Sequence, residues 1–139
     1  MYVLNSKGRK YTPKTHPVIA VDLDSTIWDA EFPYMGEPFP GAIECLNQMM
    51  KAGYEVVVWT ARGGSNLLGC INRLRDVYHL DPKIKVNEHA DWFLERFTQD
   101  SPKIGAHVYI DDRGYGFPLE DGRPNWFEIH RDFLEKHAK

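Results

Sequence analysis

Three short apolar runs, each followed at once by polar residues, constrain the fold of this chain more than any other feature. The runs are VIAV (18–21), EVVVW (55–59) and HVYI (107–110). They lack the alternation of apolar and polar residues that marks a half-solvated strand, so each is typical of a strand covered on both faces of a parallel sheet. Two shorter candidates, IKV (84–86) and WFEI (126–129), bring the predicted sheet to about five strands.

Helix-like segments alternate with these runs. Their sequences are PGAIECLNQMMKAG (40–53), SNLLGCINRLRDVYHL (65–80), HADWFLERF (89–97) and HRDFLEKHAK (130–139). In the second segment, Ser65 or Asn66 is expected to cap the start of the helix. Because strands that alternate with helices indicate right-handed βαβ crossovers, the sequence predicts an α/β fold with a three-layer, Rossmann-like, doubly wound parallel sheet.

The composition is that of a single globular domain. The chain has 139 residues, of which 42% are hydrophobic and 27% charged, and this length allows one substantial core. We expect a basic N-terminal arm at residues 1–16, which contain four Lys or Arg and no Asp or Glu, and a single domain at residues 17–139. No apolar run approaches the ~20 residues of a membrane span. Since Cys45 and Cys70 lack metal-ligand spacing, we expect reduced thiols and a cytoplasmic protein without a membrane partner.

Polar side chains follow each of the three main strands. Asp22 and Asp24 come after the first strand, Thr60 after the second, and Asp111 and Asp112 after the third. In a parallel sheet these carboxyl ends lie at one edge, where α/β proteins bind ligands. Carboxylates that converge there repel one another, and a divalent cation removes the repulsion. Oxygen ligands of this kind suit Mg²⁺.

As a set, these residues resemble the four motifs of the haloacid dehalogenase superfamily. The matching stretches are DLDST (22–26), Thr60 in VVVWTAR, Lys103 in SPKIGAHVYIDD, and the acidic pair that ends that last stretch. The similarity spans residues 17 to 130, and one departure is Ser25, where the family most often has glycine. Many relatives carry an inserted cap domain. Here 18 positions lead from Asp24 to Ala42 and 43 from Thr60 to Lys103, which predicts a fold with no inserted cap.

The resemblance implies a Mg²⁺-dependent phosphatase that works through an aspartyl-phosphate. It makes Asp22 the nucleophile, and Asp24 the group that protonates the leaving oxygen and later takes a proton from water. It assigns the metal to Asp22, Asp111 and the backbone carbonyl of Asp24. It also implies that Thr60 and Lys103 hold the transferring phosphate oxygens.

Three further residues receive supporting roles. By the same resemblance, Asp112 orients water or the motif lysine. Arg62 and Arg113 each follow a motif, and two interpretations stay open for them: contact with the phosphate or leaving group, or an ordinary surface ion pair.

The substrate is left open between a phosphorylated small molecule and a phosphorylated macromolecule. Without a cap the site is expected to be open, or covered by the loop at 29–41 or by another subunit; the sequence does not indicate an oligomeric state. One alternative is a nucleotide or nucleic-acid end-processing phosphatase guided by the basic arm, although the net charge of −3 does not favour nucleic acid. An alternative of another class is a receiver-like phosphoacceptor or a non-catalytic scaffold. Asp24, an acid–base group two residues after the proposed nucleophile, favours hydrolysis of a phosphoryl group over its storage on the protein.

Overall fold

The structure of the protein is a computed structural model that describes residues 3–4, 10–11, 18–96, 103–114 and 116–137. The described strands are β1 (Val3–Leu4), β2 (Lys10–Tyr11), β3 (Val18–Val21), β4 (Trp28–Asp29), β5 (Glu37–Pro38), β6 (Glu55–Val58), β7 (Lys85–Val86), β8 (Val108–Ile110), β9 (Leu119–Glu120) and β10 (Arg123–Pro124). The helices are α1 (Ala42–Lys51), α2 (Gly64–Asp76), α3 (Asp91–Arg96) and α4 (Trp126–His137). Apart from the antiparallel pair β1–β2, the predicted basic arm lies outside the described residues.

A four-stranded parallel sheet forms the centre of the molecule. Its strand order is β7-β6-β3-β8, so β3 lies between β6 and β8. Ala20, at the middle of β3, is opposite Val57 of β6 and Tyr109 of β8. The three main apolar runs are therefore strands as predicted, each to within one residue. This arrangement confirms an α/β fold with a parallel sheet.

The fifth strand predicted at 126–129 is wrong, because these residues open helix α4. Asn125 precedes the helix, and its Oδ1 accepts a hydrogen bond from the backbone N–H of Glu128 at 3.1 Å. This is the geometry of an N-cap, which satisfies an otherwise unpaired donor of the first turn. Trp126 and Ile129 are buried and three residues apart, whereas Phe127 is exposed. Four residues are too few to distinguish helical from strand periodicity, and the capping pair was the missed signal.

Both faces of the central sheet are covered by apolar side chains. On one face, Ile19, Val21, Val56 and Val58 join a large cluster with residues of α1, α2 and α4. The opposite face carries a smaller cluster made of Val18, Ala20, Val57, Ala90 and Ile104. Because alternate residues of each strand enter opposite clusters, the strands read as continuous apolar runs.

Two connecting segments, from Asp24 to Ala42 and from Thr60 to Lys103, are the places where the sequence analysis considered an inserted cap domain. Between Asp24 and Ala42 the described chain forms an antiparallel hairpin of β4 and β5. Between Thr60 and Lys103 it contains α2, β7 and α3. The described parts of these two stretches contain the elements named above and no further domain; the absence of a cap over the whole chain stays a prediction. In the same described residues, no helix combines the length and apolarity needed to cross a membrane.

The predicted cap of α2 is wrong. Gly63 occupies the N-cap position, and no side chain caps the helix. Asn66 instead accepts a hydrogen bond from Arg62 Nη1 at 3.0 Å and donates one to the carbonyl of Pro33 at 3.0 Å. Asn66, in the first turn of α2, therefore links the segment after β6 to the loop between β4 and β5.

Trp126 offers a test of how α4 is attached to the sheet. Its indole is fully buried, and Nε1 donates to the carbonyl of Thr26 at 2.7 Å. Trp126→Phe removes that donor and leaves a small void, so we expect a loss of about 2–3 kcal/mol in the free energy of unfolding. Urea unfolding measures this change, with the exposed Phe127→Leu expected within ~0.5 kcal/mol of wild type. Equal effects of the two substitutions would contradict the docking described here.

Candidate active site

The carboxyl ends of β3, β6 and β8 open into one cleft of about 800 Å³. Six of the residues singled out in the sequence reach its surface or its rim: Asp22, Asp24, Thr60, Asp111, Asp112 and Arg113. The hairpin between β4 and β5 supplies the opposite wall. Strand order therefore brings together residues up to 91 positions apart, as the parallel sheet requires.

Three of these carboxylates form a cluster that is able to hold a cation. Asp22, Asp111 and Asp112 each offer an oxygen, and the three oxygens lie within 4.8 Å of one another. All three side chains are half-buried. Asp112 thus belongs with the metal-binding candidates, although the resemblance implied only an orienting role for it. The predicted ligation by the backbone carbonyl of Asp24 stays a prediction.

The pKa of Asp22 reflects this crowding. Burial, followed by the negative charge of Asp111, raises the pKa from its usual 3.8 to about 7, and Asp112 adds to the shift. Hydrogen bonds from the Thr26 side chain and the Leu23 backbone oppose the shift only in part. Asp22 therefore keeps its proton to a higher pH than an ordinary carboxyl group, and a cation bound beside it would favour the charged form.

Thr26 connects two carboxylates of the cluster. Its hydroxyl lies 3.2 Å from Asp22 Oδ2 and 3.1 Å from Asp112 Oδ1, and it accepts a hydrogen bond from the Asp112 backbone N–H at 2.9 Å. A hydroxyl has one proton, so it donates to one carboxylate at a time. The sequence included Thr26 in the first motif but assigned it no role. Its full burial explains why a residue able both to donate and to accept is needed there.

The turn after Asp24 places Ser25 in a backbone conformation that favours glycine. Ser25 has φ 62°, in the left-handed region. Glycine enters this region without a steric penalty, whereas serine does so at some cost. The Ser25 N–H still closes the turn by donating to the Trp28 carbonyl at 2.9 Å. The turn therefore forms with serine at this position.

Arg62 is a buried partner of Asp24 and not a surface residue. Only 3% of Arg62 is exposed. Its Nε donates to Asp24 Oδ2 at 2.8 Å and its Nη2 to Asp24 Oδ1 at 2.7 Å, which makes a bidentate ion pair. Trp28 Nε1 adds a third hydrogen bond to Asp24 Oδ1 at 2.9 Å. An ion pair, one of the two interpretations left open for Arg62, is thus present, but it is buried and not at the surface, and it fixes the orientation of the Asp24 carboxylate.

The remaining donors of the Arg62 guanidinium are also paired. Nη1 donates to Asn66 and to Cys70 Sγ at 3.2 Å, and Nη2 donates to the Tyr34 carbonyl at 2.6 Å. The hydrogen bond to Asp24 is the largest cause of a pKa for Arg62 above its usual value. The guanidinium is thus a permanent charge that joins β6, α2 and the hairpin.

Asn87 is a site residue that the sequence analysis missed. Its Oδ1 accepts from the Thr60 N–H at 2.8 Å, and its Nδ2 donates to the Thr60 carbonyl at 2.9 Å and to the Arg62 carbonyl at 3.2 Å. These bonds fix the backbone on which the Thr60 hydroxyl is carried. Asn87 follows the predicted short strand at 84–86. The same rule that identified the other strand-end residues therefore pointed to it.

The two remaining predicted cations occupy different places. Arg113 is exposed at the rim of the cleft, and its backbone N–H donates to Asp111 Oδ1 at 2.9 Å. Lys103 lines a smaller cavity of about 210 Å³ that also touches Asp22 and Asp111. Its Nζ lies 5.4 Å from the centre of the Tyr109 ring. Lys103 is thus a neighbour of the carboxylate cluster, on the side away from the hairpin.

Asp22→Asn tests the charge crowding in metal-free protein. Because the folded-state pKa of Asp22, about 7, exceeds its usual 3.8, the stability that this group contributes is present below about pH 4 and is lost as the pH rises through 7. Solvent screens the half-buried carboxyl, so we expect the variant to exceed wild type by only about 1–2 kcal/mol at pH 8 and by little at pH 4. Urea unfolding with chelator at both pH values measures the difference. A difference independent of pH would contradict the crowding.

Comparison with known proteins gives the chain a relative of known structure. No protein-family model and no curated protein matches it. Among solved structures, a conserved protein from Bacteroides thetaiotaomicron superposes with a TM-score of 0.70 and 30% sequence identity. The match covers 87% of this chain and 92% of that protein. The shared fold and the identity over nearly the whole length show that this chain belongs to the same family as the conserved Bacteroides protein.

Proposed function

We propose that the protein is a capless, Mg²⁺-dependent phosphate monoester hydrolase of the haloacid dehalogenase type. One observation carries the proposal: the nucleophile candidate Asp22 lies in a three-carboxylate cluster, and Asp24, two residues later, faces the same cleft. The parallel sheet with both faces covered supports the Rossmann-like, doubly wound core of that superfamily as the fuller description of the fold.

The donor set suits a hard divalent cation. Asp22, Asp111 and Asp112 would hold Mg²⁺, since this ion prefers carboxylate oxygens and water. The bound ion would offset the negative charge of the carboxylates and of the phosphate that approaches them. The raised pKa of Asp22 supports this fit, because the same crowding that favours a proton on Asp22 also favours a cation beside it.

Hydrolysis would then proceed by two displacements at phosphorus. In the first, an oxygen of Asp22 bonds to phosphorus while the bond from phosphorus to the leaving oxygen breaks, and the leaving oxygen takes a proton from Asp24. In the second, water attacks the phosphorus of the aspartyl-phosphate while the bond from phosphorus to the Asp22 oxygen breaks, and the attacking water gives a proton to Asp24. Inorganic phosphate leaves, and both carboxyl groups return to their starting states.

The neighbours of Asp24 support the part of its proposed role in which it accepts a proton from water. Its Oδ2 accepts one described hydrogen bond, from Arg62, so a lone pair remains for a proton from water. The bidentate pair keeps the carboxyl group from rotating away from the cleft. Thr60 would bind a phosphate oxygen through its hydroxyl proton, because its Oγ1 already accepts from the Arg62 backbone N–H at 3.2 Å.

The cysteines support the cytoplasm as the proposed location. Cys45 and Cys70 are both buried and free. Burial raises the pKa of Cys45 to about 11, which keeps this thiol protonated and unreactive. Protected thiols of this kind are usual in a reducing compartment.

Phosphate release with and without metal tests the activity. We expect release from at least one member of a panel of phosphorylated metabolites, nucleotides and end-phosphorylated oligonucleotides in Mg²⁺, and none in chelator. Asp22→Asn should lower kcat by at least ~10³-fold, because it removes the nucleophile. The exposed Asp121→Asn, away from the cleft, is the control for general damage. Persistent phosphorylation of wild type at Asp22 without turnover would favour a phosphoacceptor module instead.

Arg62→Lys tests whether Arg62 positions Asp24. Lysine keeps the positive charge but cannot form the bidentate pair with Asp24, so we expect kcat to fall by about 10–100-fold while KM changes by less than ~3-fold. The matched control is Arg75→Lys, at an α2 arginine that donates to the carbonyls of Pro82 and Ile84. A rise in KM at constant kcat would show that Arg62 contacts the substrate directly.

A further inference from the structure

Large apolar side chains are exposed on the hairpin wall of the cleft. The exposed fractions are 63% for Phe32, 75% for Tyr34 and 46% for Met35, and all three side chains line the cleft. Because the two aromatic rings of this short loop are exposed, they do not contribute the favourable free energy that burial of such rings usually provides. A ligand that covers these rings would recover that gain.

The backbone that carries these rings is fixed. The Pro33 carbonyl accepts a hydrogen bond from Asn66, the Tyr34 carbonyl accepts one from Arg62, and the Gly36 carbonyl accepts one from Arg73 at 3.4 Å. All three donors lie in α2 or immediately before it. The rings therefore project from an anchored loop and do not belong to a segment that needs to fold onto the core.

Packing beneath the loop supports the same conclusion. A side chain at Gly69 of α2 would bring its Cβ within 2.9 Å of the Met35 methyl group. A Cβ at Gly36 would clash with the backbone carbonyl of Asp29. The loop thus approaches both α2 and its own first strand too closely for larger residues.

Charge at the same wall limits the kind of ligand that can bind. Asp29 and Glu31 line the cleft beside the aromatic rings. Arg123 pairs with Asp29 at 2.8 Å, and no ion pair of Glu31 occurs among the described residues. Since Asp29 is paired, Glu31 is the acid that faces a ligand from this wall. Its charge disfavours further phosphates beside the rings, so a ligand with one phosphate and an uncharged remainder fits better there than a polyanion.

We propose that Phe32 and Tyr34 bind a planar ring in the leaving group of the substrate. The substrate class is then a nucleoside monophosphate, with its base against the two rings and its phosphate towards the carboxylate cluster. Aromatic side chains stack on every nucleobase, which makes such a wall tolerant of base identity. This assignment rests on the proposed phosphatase function and gives its substrate class.

Paired substrates test the role of the rings. We expect the double variant Phe32→Ala/Tyr34→Ala to raise KM for adenosine 5′-monophosphate by about 5–100-fold, the range expected for a lost base–aromatic stack. KM for glycerol phosphate, which has no ring, should change by less than ~2-fold. Phe127→Ala is the matched control, because Phe127 is 68% exposed but does not line the cleft.

Three results would overturn the inference. The first is an equal change of KM for both substrates, and the second is no change for either. The third is a preference of wild type for adenosine 5′-diphosphate or for a 5′-phosphorylated oligonucleotide over the monophosphate. A loss that follows Trp59→Ala instead would place the ring in the smaller cavity on the other side of Asp22.

A binding measurement separates this inference from the proposed function. Calorimetry with adenosine 5′-monophosphate and Mg²⁺ uses Asp22→Asn, which cannot form the aspartyl-phosphate. Binding that weakens when Phe32 and Tyr34 are replaced supports the ring site even if wild type releases no phosphate from any substrate. Hydrolysis of glycerol phosphate as efficient as that of the nucleotide, with no nucleotide bound by Asp22→Asn, keeps the phosphatase and rejects the ring site.

Discussion

Repulsion among the carboxylates at the end of β3 is the constraint on which the rest of the site depends. Asp22, Asp111 and Asp112 come together because parallel strands end at one edge, and half-burial makes their mutual repulsion costly. The surroundings reduce this cost only in part, through the Thr26 hydroxyl and backbone donors. Apolar burial on both faces of the sheet offsets the remaining repulsion, because it stabilises the positions of the strands that carry these carboxylates.

Asp24 has a different environment although it lies only two residues away. It faces a buried guanidinium instead of other acids, and each of its oxygens accepts at least one hydrogen bond. Two carboxyl groups on one short turn are thus treated in opposite ways, Asp22 by desolvation and repulsion and Asp24 by a fixed positive charge. In the proposed mechanism, a cation at the cluster would offset the repulsion and let Asp22 attack phosphorus as a carboxylate, while Arg62 would hold Asp24 in place to accept a proton from water.

The sequence predicted the features that depend on local order along the chain. Strand runs, and the polar residues directly after them, follow from short patterns, which is why Asp22, Thr60 and Asp111 were identified correctly as strand-end residues. Contacts between segments that are distant along the chain could not be predicted from the sequence, because they depend on how helices pack on the sheet. The pairing of Arg62 with Asp24 is one example. The hydrogen bond from Trp126 to the Thr26 carbonyl is another. The helix at 126–129 is a different case, since its local signal, Asn125 three residues before Glu128, was present in the sequence and was missed.

The bonds of Arg62 have a consequence for how recognition and chemistry are linked. One Arg62 nitrogen, Nη2, donates both to the Asp24 carboxylate and to the Tyr34 carbonyl of the aromatic loop. A bound molecule that displaced that loop would therefore also shift Asp24, through a single rigid, planar ion. In the proposed mechanism, the loop that would contact the substrate and the carboxyl group that would transfer protons are thus coupled, so a change in substrate binding would also change the rate of reaction.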